Sequence, residues 1–209
     1  MMKERRVSRR DFIYLGLGGG LVIAGLPLAR VVSQQRDGNL NYAFAPTPGD
    51  TLGPFYRSGA PRKERLIEAG VGGTPLIVAG RVIDTDGKML AGATLEVFHA
   101  YGGGEYDMLG FRCRGEIPVG ANGEYGYETV VPAGYGGRAR HVHYVVGAPG
   151  HKRLVTQLYF ENDPKFEGDP DKNYNNLVSH RELVRPVKSI NRNNTAYTSV
   201  TFDICLEKA

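Results

Sequence analysis

Beyond residue 74 the apolar positions fall in short runs separated by turn-forming residues. No stretch there sustains a helical repeat over several turns. Leu76, Ile77, Val78, Val82 and Ile83 make a β-branched run that ends at Asp84-Thr85-Asp86-Gly87. The Asp-Gly step suits the positive-φ position of a tight turn, so 76–83 is expected to be a strand. Residues 94–99 alternate and form the next strand. Residues 124–131 form another, entered from the turn Ala121-Asn122-Gly123. Further strands are expected at 141–146, 154–160 and 198–206. Short strands at this spacing predict an all-β fold, an antiparallel β-sandwich. Residues 161–194 are polar, and a long ordered loop or a short helix near 178–183 is expected there. No repeat of fixed period is present.

The N-terminal third follows other rules. Residues 37–63 are rich in Pro, Gly and Asn, so 37–74 reads as an extended N-terminal arm leading into a sandwich domain at 75–209. Residues 1–36 read as a leader. An uncharged run at 12–29, diluted by five glycines, follows Ser8-Arg9-Arg10-Asp11-Phe12. This resembles a twin-arginine export signal. The alternative is a short membrane anchor. Export would place the chain in the periplasm or outside the cell, tethered to the membrane if the leader is retained. It would also carry Cys113 and Cys205 into an oxidising compartment, where they either pair or stay as two buried thiols.

Charge separates the two parts. The chain has a formal net charge of +4, but residues 1–36 hold seven basic and two acidic side chains, which leaves the rest at −1. A nucleic-acid binder needs excess positive charge on its folded body, so that class is excluded. The 41% hydrophobic content suffices for a packed core.

The candidate chemistry centres on His141-Val142-His143. Alternate residues of a strand share a face, so two imidazoles emerge side by side, as two ligands of one metal require. Tyr135 lies six residues upstream in a glycine-rich stretch, and Tyr106 ends the run Gly102-Gly103-Gly104-Glu105. Two imidazoles and two phenols suit a hard trivalent cation better than zinc, because a phenol with an ordinary pKa of about 10 ligates only beside a strong Lewis acid. Zinc hydrolysis at His141 and His143 is the competing metal reading. A sandwich that binds without catalysis is the non-enzymatic one.

From Thr51 to about Asp171 the chain resembles the intradiol ring-cleavage dioxygenases, with the protocatechuate 3,4-dioxygenase type of subunit as the nearest likeness. Thr51-Leu52-Gly53-Pro54 resembles the family's arm. Gly80-Arg81-Val82-Ile83-Asp84 and residues 93–100 resemble its first strand pair. Tyr106 stands eight residues after the strand aromatic Phe98, Tyr135 follows Pro132, and His141 and His143 match the histidine pair.

That resemblance implies a non-haem Fe(III) centre held by Tyr106, Tyr135, His141 and His143, with Tyr135 released when a catechol binds. It implies cleavage of a small aromatic diol by O2 to a muconate-type diacid. It gives Arg138 the stabilisation of charge on the ring, with Arg140 as its rival, and makes Gln157 a polar neighbour of the metal. Three departures stand out. Phe98 occupies a position where relatives often have Trp, Gly136-Gly137 follow Tyr135, and no helical dimerisation segment is recognisable. The arm could instead wrap a neighbouring subunit in a homo-oligomer.

Overall fold

The computed structural model describes residues 44–68, 71–167, 178–192 and 194–209. The leader, with its paired arginines, lies outside the described residues. Ten strands run in chain order: β1 (Pro75–Asp84), β2 (Thr94–Phe98), β3 (Arg114–Glu116), β4 (Glu124–Val130), β5 (His141–Gly147), β6 (Leu154–Phe160), β7 (Val184–Arg185), β8 (Lys188–Arg192), β9 (Thr195–Thr201) and β10 (Ile204–Leu206). Among the described residues, the helical turns are two three-residue 3-10 pieces, Pro164–Phe166 and Arg181–Leu183. The second falls inside the segment where a short helix was expected.

The strands form two sheets. One contains β4, β1, β9 and β8, with β10 continuing beside β1; the other has the order β3-β2-β5-β6-β7. Most neighbours are antiparallel, as expected, but β1 pairs with β9 and β10 in parallel, and β6 with β7 likewise. The sandwich is therefore mixed. The parallel partners are far apart in the chain and joined by long connections rather than tight hairpins, which permits that direction.

The single strand expected at 198–206 is β9 and β10, interrupted at Phe202 and Asp203. Both pair with β1 in the same register, Ala79 opposite Thr201 and Val82 opposite Ile204. Between them the Phe202 backbone presses onto Gly80. A Cβ at Gly80 would lie 1.9 Å from the Phe202 carbonyl oxygen, so only glycine fits there. The Asp203 carboxylate meanwhile takes the Arg81 amide at 3.0 Å.

Alternation sorts β5 into two faces. Val142, Tyr144 and Val146 enter the core between the sheets, against Leu95, Val97, Tyr127, Leu158 and Phe202. The Tyr127 and Tyr144 hydroxyls bond to each other inside it, which avoids the roughly 1–3 kcal/mol penalty of an unsatisfied buried hydroxyl. His141 and His143 take the opposite face. The described arm lies along its own sandwich: Asp50 N–H donates to Val155 O on β6 at 2.9 Å, and Thr47 N–H to Cys205 O on β10 at 3.0 Å. Cys113 and Cys205 are separate buried thiols.

Candidate metal centre

Strand register assembles most of the site. His143 stands opposite Gln157 and Phe98, and His141 opposite Tyr159. Directly opposed residues share a sheet face, so three strands deliver five side chains to one spot. Phe98 lies flat on the His143 ring, with centroids 4.4 Å apart and planes 3° apart.

Two loops bring the phenols. Tyr106 follows Gly104, whose φ is 100°. A Cβ on Gly104 would meet the Tyr135 Cβ at 2.9 Å, so the glycine lets the two tyrosine-bearing loops touch. Downstream of Tyr106, the Asp107 carboxylate ties the loop by accepting amides from Leu109, Gly110 and Arg112 at 3.0, 2.7 and 3.0 Å. The Tyr106 and Tyr135 rings meet edge to face at 5.4 Å. Phe55 from the arm stacks on Tyr106 at 4.4 Å.

The donor atoms converge. Tyr106 Oη lies 3.2 Å from His141 Nε2 and 3.1 Å from His143 Nε2. With both Nε2 lone pairs turned inward, the single hydroxyl proton serves only one of these contacts. Separations near 3 Å are what donors share around one cation with bonds of about 2 Å. His141 Nδ1 donates to Ala139 O at 2.7 Å, which leaves its Nε2 lone pair pointing into the cluster. His143 Nδ1 is buried without a hydrogen-bond partner; the Thr51 backbone favours its protonation electrostatically but closes no bond of good geometry. Burial, then the Arg138 charge, pushes His141 down to about 4. Burial, then His141 and Arg138, pushes His143 down to about 2. Both rings are therefore neutral at pH 7, the form in which an imidazole can ligate a metal. Burial raises the Tyr106 phenol, so that group ionises only if a cation holds it. No cluster of three His, Cys, Asp or Glu exists among the described residues. The further donors beside the imidazoles are phenols, and the set fits a hard, strongly acidic metal ion.

Arg138 borders the cluster. One guanidinium nitrogen lies 3.3 Å from His141 Nε2; the other donates to Gln157 Oε1 at 2.8 Å and to Tyr159 Oη at 2.9 Å. Gln157 in turn donates to Thr51 O at 2.6 Å. Arg140 points elsewhere: its guanidinium holds Asp163 at 3.2 Å and Asn162 O at 2.9 Å. Of the two arginines that the sequence offers for this role, only Arg138 reaches the histidines.

Three further neighbours lie outside the set read from the sequence. Tyr159 donates to Asp50 Oδ2 at 3.0 Å, so an arm carboxylate touches the network. Arg114 is 1% exposed and sits against the Phe98 and Tyr106 rings at 5.2 and 5.9 Å. Tyr159 could have been flagged from strand register opposite His141, whereas Asp50 and Arg114 arrive through tertiary contacts.

Comparison with known proteins agrees with this geometry. A family model described as dioxygenase matches residues 52–208. The chain is 34% identical over 189 residues to catechol 1,2-dioxygenase 2 of Acinetobacter lwoffii, covering 75% of this chain and 69% of that one. It is 31% identical over 147 residues to hydroxyquinol 1,2-dioxygenase of Nocardioides simplex, covering 59% and 50%. Several such relatives are thus matched over only about half their length. Among solved structures, the dioxygenase domain of a dioxygenase–carbohydrate-binding fusion from Streptomyces sp. SirexAA-E superposes with a TM-score of 0.68 at 35% identity, covering 79% of this chain and 100% of that one. Catechol 1,2-dioxygenase from Pseudomonas arvilla C-1 gives 0.69 at 28%, covering 78% and 62%. Matched family, shared sandwich and a buried His–Tyr cluster on the outer sheet face together show that the chain belongs to the intradiol ring-cleaving dioxygenases.

Proposed function

We propose that the protein cleaves a catechol-type ring between its two hydroxyl-bearing carbons, using Fe(III) held by Tyr106, Tyr135, His141 and His143. The carrying observation is the Tyr106 oxygen lying within 3.2 Å of both imidazole Nε2 atoms in a buried pocket. The bound ferric ion would supply Lewis-acid and redox chemistry, acidifying the diol and making the ring reactive toward dioxygen. The net reaction breaks one ring C–C bond and places one oxygen atom of O2 in each new carboxyl group.

The chain's own groups have separate tasks. Tyr135, which lines the pocket, would complete the set that holds the ion and, on giving up that place to the diol, would take up one of its protons. Arg138 holds negative charge on the ring oxygens, because its guanidinium is already oriented by Gln157 and Tyr159 and needs no reorganisation. Pro54 and Phe55 cover the ring and keep water from it.

The test is to load purified protein with iron, look for the visible phenolate-to-iron charge-transfer band, and follow oxygen uptake with catechol. A muconate-type product spectrum is expected. A colourless protein at full iron occupancy overturns the ligand set.

We also infer export by the twin-arginine route, supported by Ser8-Arg9-Arg10-Asp11-Phe12. Replacing both arginines by lysine should keep the protein in the cytoplasm, and unchanged export would sink that reading.

A further inference from the structure

The cavity beside the His–Tyr cluster has a volume of about 640 Å³ and carries one arginine and one aspartate among its described lining residues, Arg138 and Asp50. They stand at different depths. Arg138 contacts His141 and is held by Gln157 and Tyr159. Asp50 lies one hydrogen bond further out, beyond the Tyr159 hydroxyl. Ser179 and Val178 line the cavity with it.

The Asp50 carboxylate is fixed by three donors: Thr51 N–H at 2.6 Å and Ser179 Oγ at 3.2 Å on Oδ1, and Tyr159 Oη at 3.0 Å on Oδ2. A carboxylate has about four acceptor positions, so one is left for a ligand. It can accept and cannot donate. A diol held between Tyr135 and Arg138 would bring its far ring edge toward this wall, since Asp50 lines the same cavity beyond Tyr159. A hydroxyl there finds an acceptor. A ring carboxylate there finds a second carboxylate, with like charge and no proton to share.

Resting on the ring-cleavage reading above, we propose that Asp50 is a specificity-determining residue that selects diols with a neutral, hydrogen-bond-donating ring substituent and rejects ring-carboxylated ones. Arg138 offsets little of this repulsion, because it stands on the other side of the Tyr159 hydroxyl from Asp50 and faces the diol oxygens rather than the far ring edge.

The experiment uses the iron-loaded full chain with catechol, 1,2,4-trihydroxybenzene and 3,4-dihydroxybenzoate. It measures kcat/KM by oxygen uptake, and anaerobic Kd from the spectral shift on binding. Wild type should favour trihydroxybenzene over dihydroxybenzoate by about tenfold or more in both. Asp50→Asn should raise the dihydroxybenzoate-to-catechol ratio about tenfold. Ser179→Lys keeps the carboxylate but sets a cation against it, and should shift the ratio the same way should Asp50→Asn fold poorly. Wild type that cleaves catechol yet takes dihydroxybenzoate equally well, or ratios unchanged in both variants, overturns the charge filter alone. Wild type that binds none of the three diols overturns the filter together with the ring-cleavage reading.

Discussion

Gln157 stands across from His143 in the β5–β6 ladder, and its amide joins two parts of the molecule that are distant in sequence. Its oxygen takes Arg138 at 2.8 Å and its nitrogen gives to Thr51 O at 2.6 Å. The arm, the arginine and the histidine strand are thus pinned by one fully buried side chain. Gln157→Leu should strand the Arg138 donor and release the arm. We expect a fall in kcat of about tenfold to a hundredfold and a loss of about 1–3 kcal/mol of stability, read by oxygen uptake and denaturant titration.

The two arginines near the histidines should separate cleanly. Arg138→Gln removes the guanidinium at His141 and should lower kcat by about 100- to 1,000-fold with iron content unchanged. Arg140→Ala releases Asp163, which still accepts the Arg140 amide at 2.6 Å and Lys165 N–H at 2.9 Å. Its effect should be on stability, about 1–2 kcal/mol, with kcat near wild type. Equal activity losses in the two variants would contradict the assignment.

The phenols should also behave differently. Tyr106 is wedged between Phe55 and Arg114 and touches both imidazoles, so Tyr106→Phe should weaken iron retention and bleach the visible band. Tyr135 lines the cavity, so Tyr135→Phe should keep most iron and slow the exchange of diol onto it. Iron analysis, absorption spectra and stopped-flow binding report these. Native spectra and turnover in both would exclude the ligand set.

Acid stability offers a test independent of the metal. His99 is fully buried, with one nitrogen on Ala100 O and the other on Thr129 Oγ1, both at 2.7 Å. Burial pushes it down to about 4 from an ordinary 6.5. The unfolded chain therefore binds the proton more readily between these values. Stability from this group is complete above pH 6.5 and is lost as pH falls toward 4, by about 3 kcal/mol in all. His99→Gln, compared with wild type by denaturation of metal-free protein, should flatten the curve in that window.

The strand β6 was legible to the residue, and β2, β4 and β5 to within one, because apolar alternation and flanking turns agree there. β8 was not: in Lys188–Arg192 only Ile190 is even partly buried, so an edge strand reads as a polar loop. β3 is three residues long and contains a buried arginine, against every strand preference. In the site, strand period alone pairs His141 with His143, whereas Tyr106 and Tyr135 are marked by their glycine-rich flanks and singled out from the other tyrosines by family spacing. Tyr159 was one tyrosine among 12, and Asp50 reaches the pocket only because the arm folds back over β6. A carboxylate brought in by a tertiary contact leaves no periodic trace in the chain.

The histidine pair occupies the outward side of β5, while Val142, Tyr144 and Val146 on the same strand fill the interior. Reactivity and cohesion therefore draw on alternate letters of a single seven-residue segment. Changes at positions 50–55 or 133–137 can reshape what enters the pocket while the packing beneath stays as it is. A lineage could exchange one aromatic diet for another by editing its lids alone.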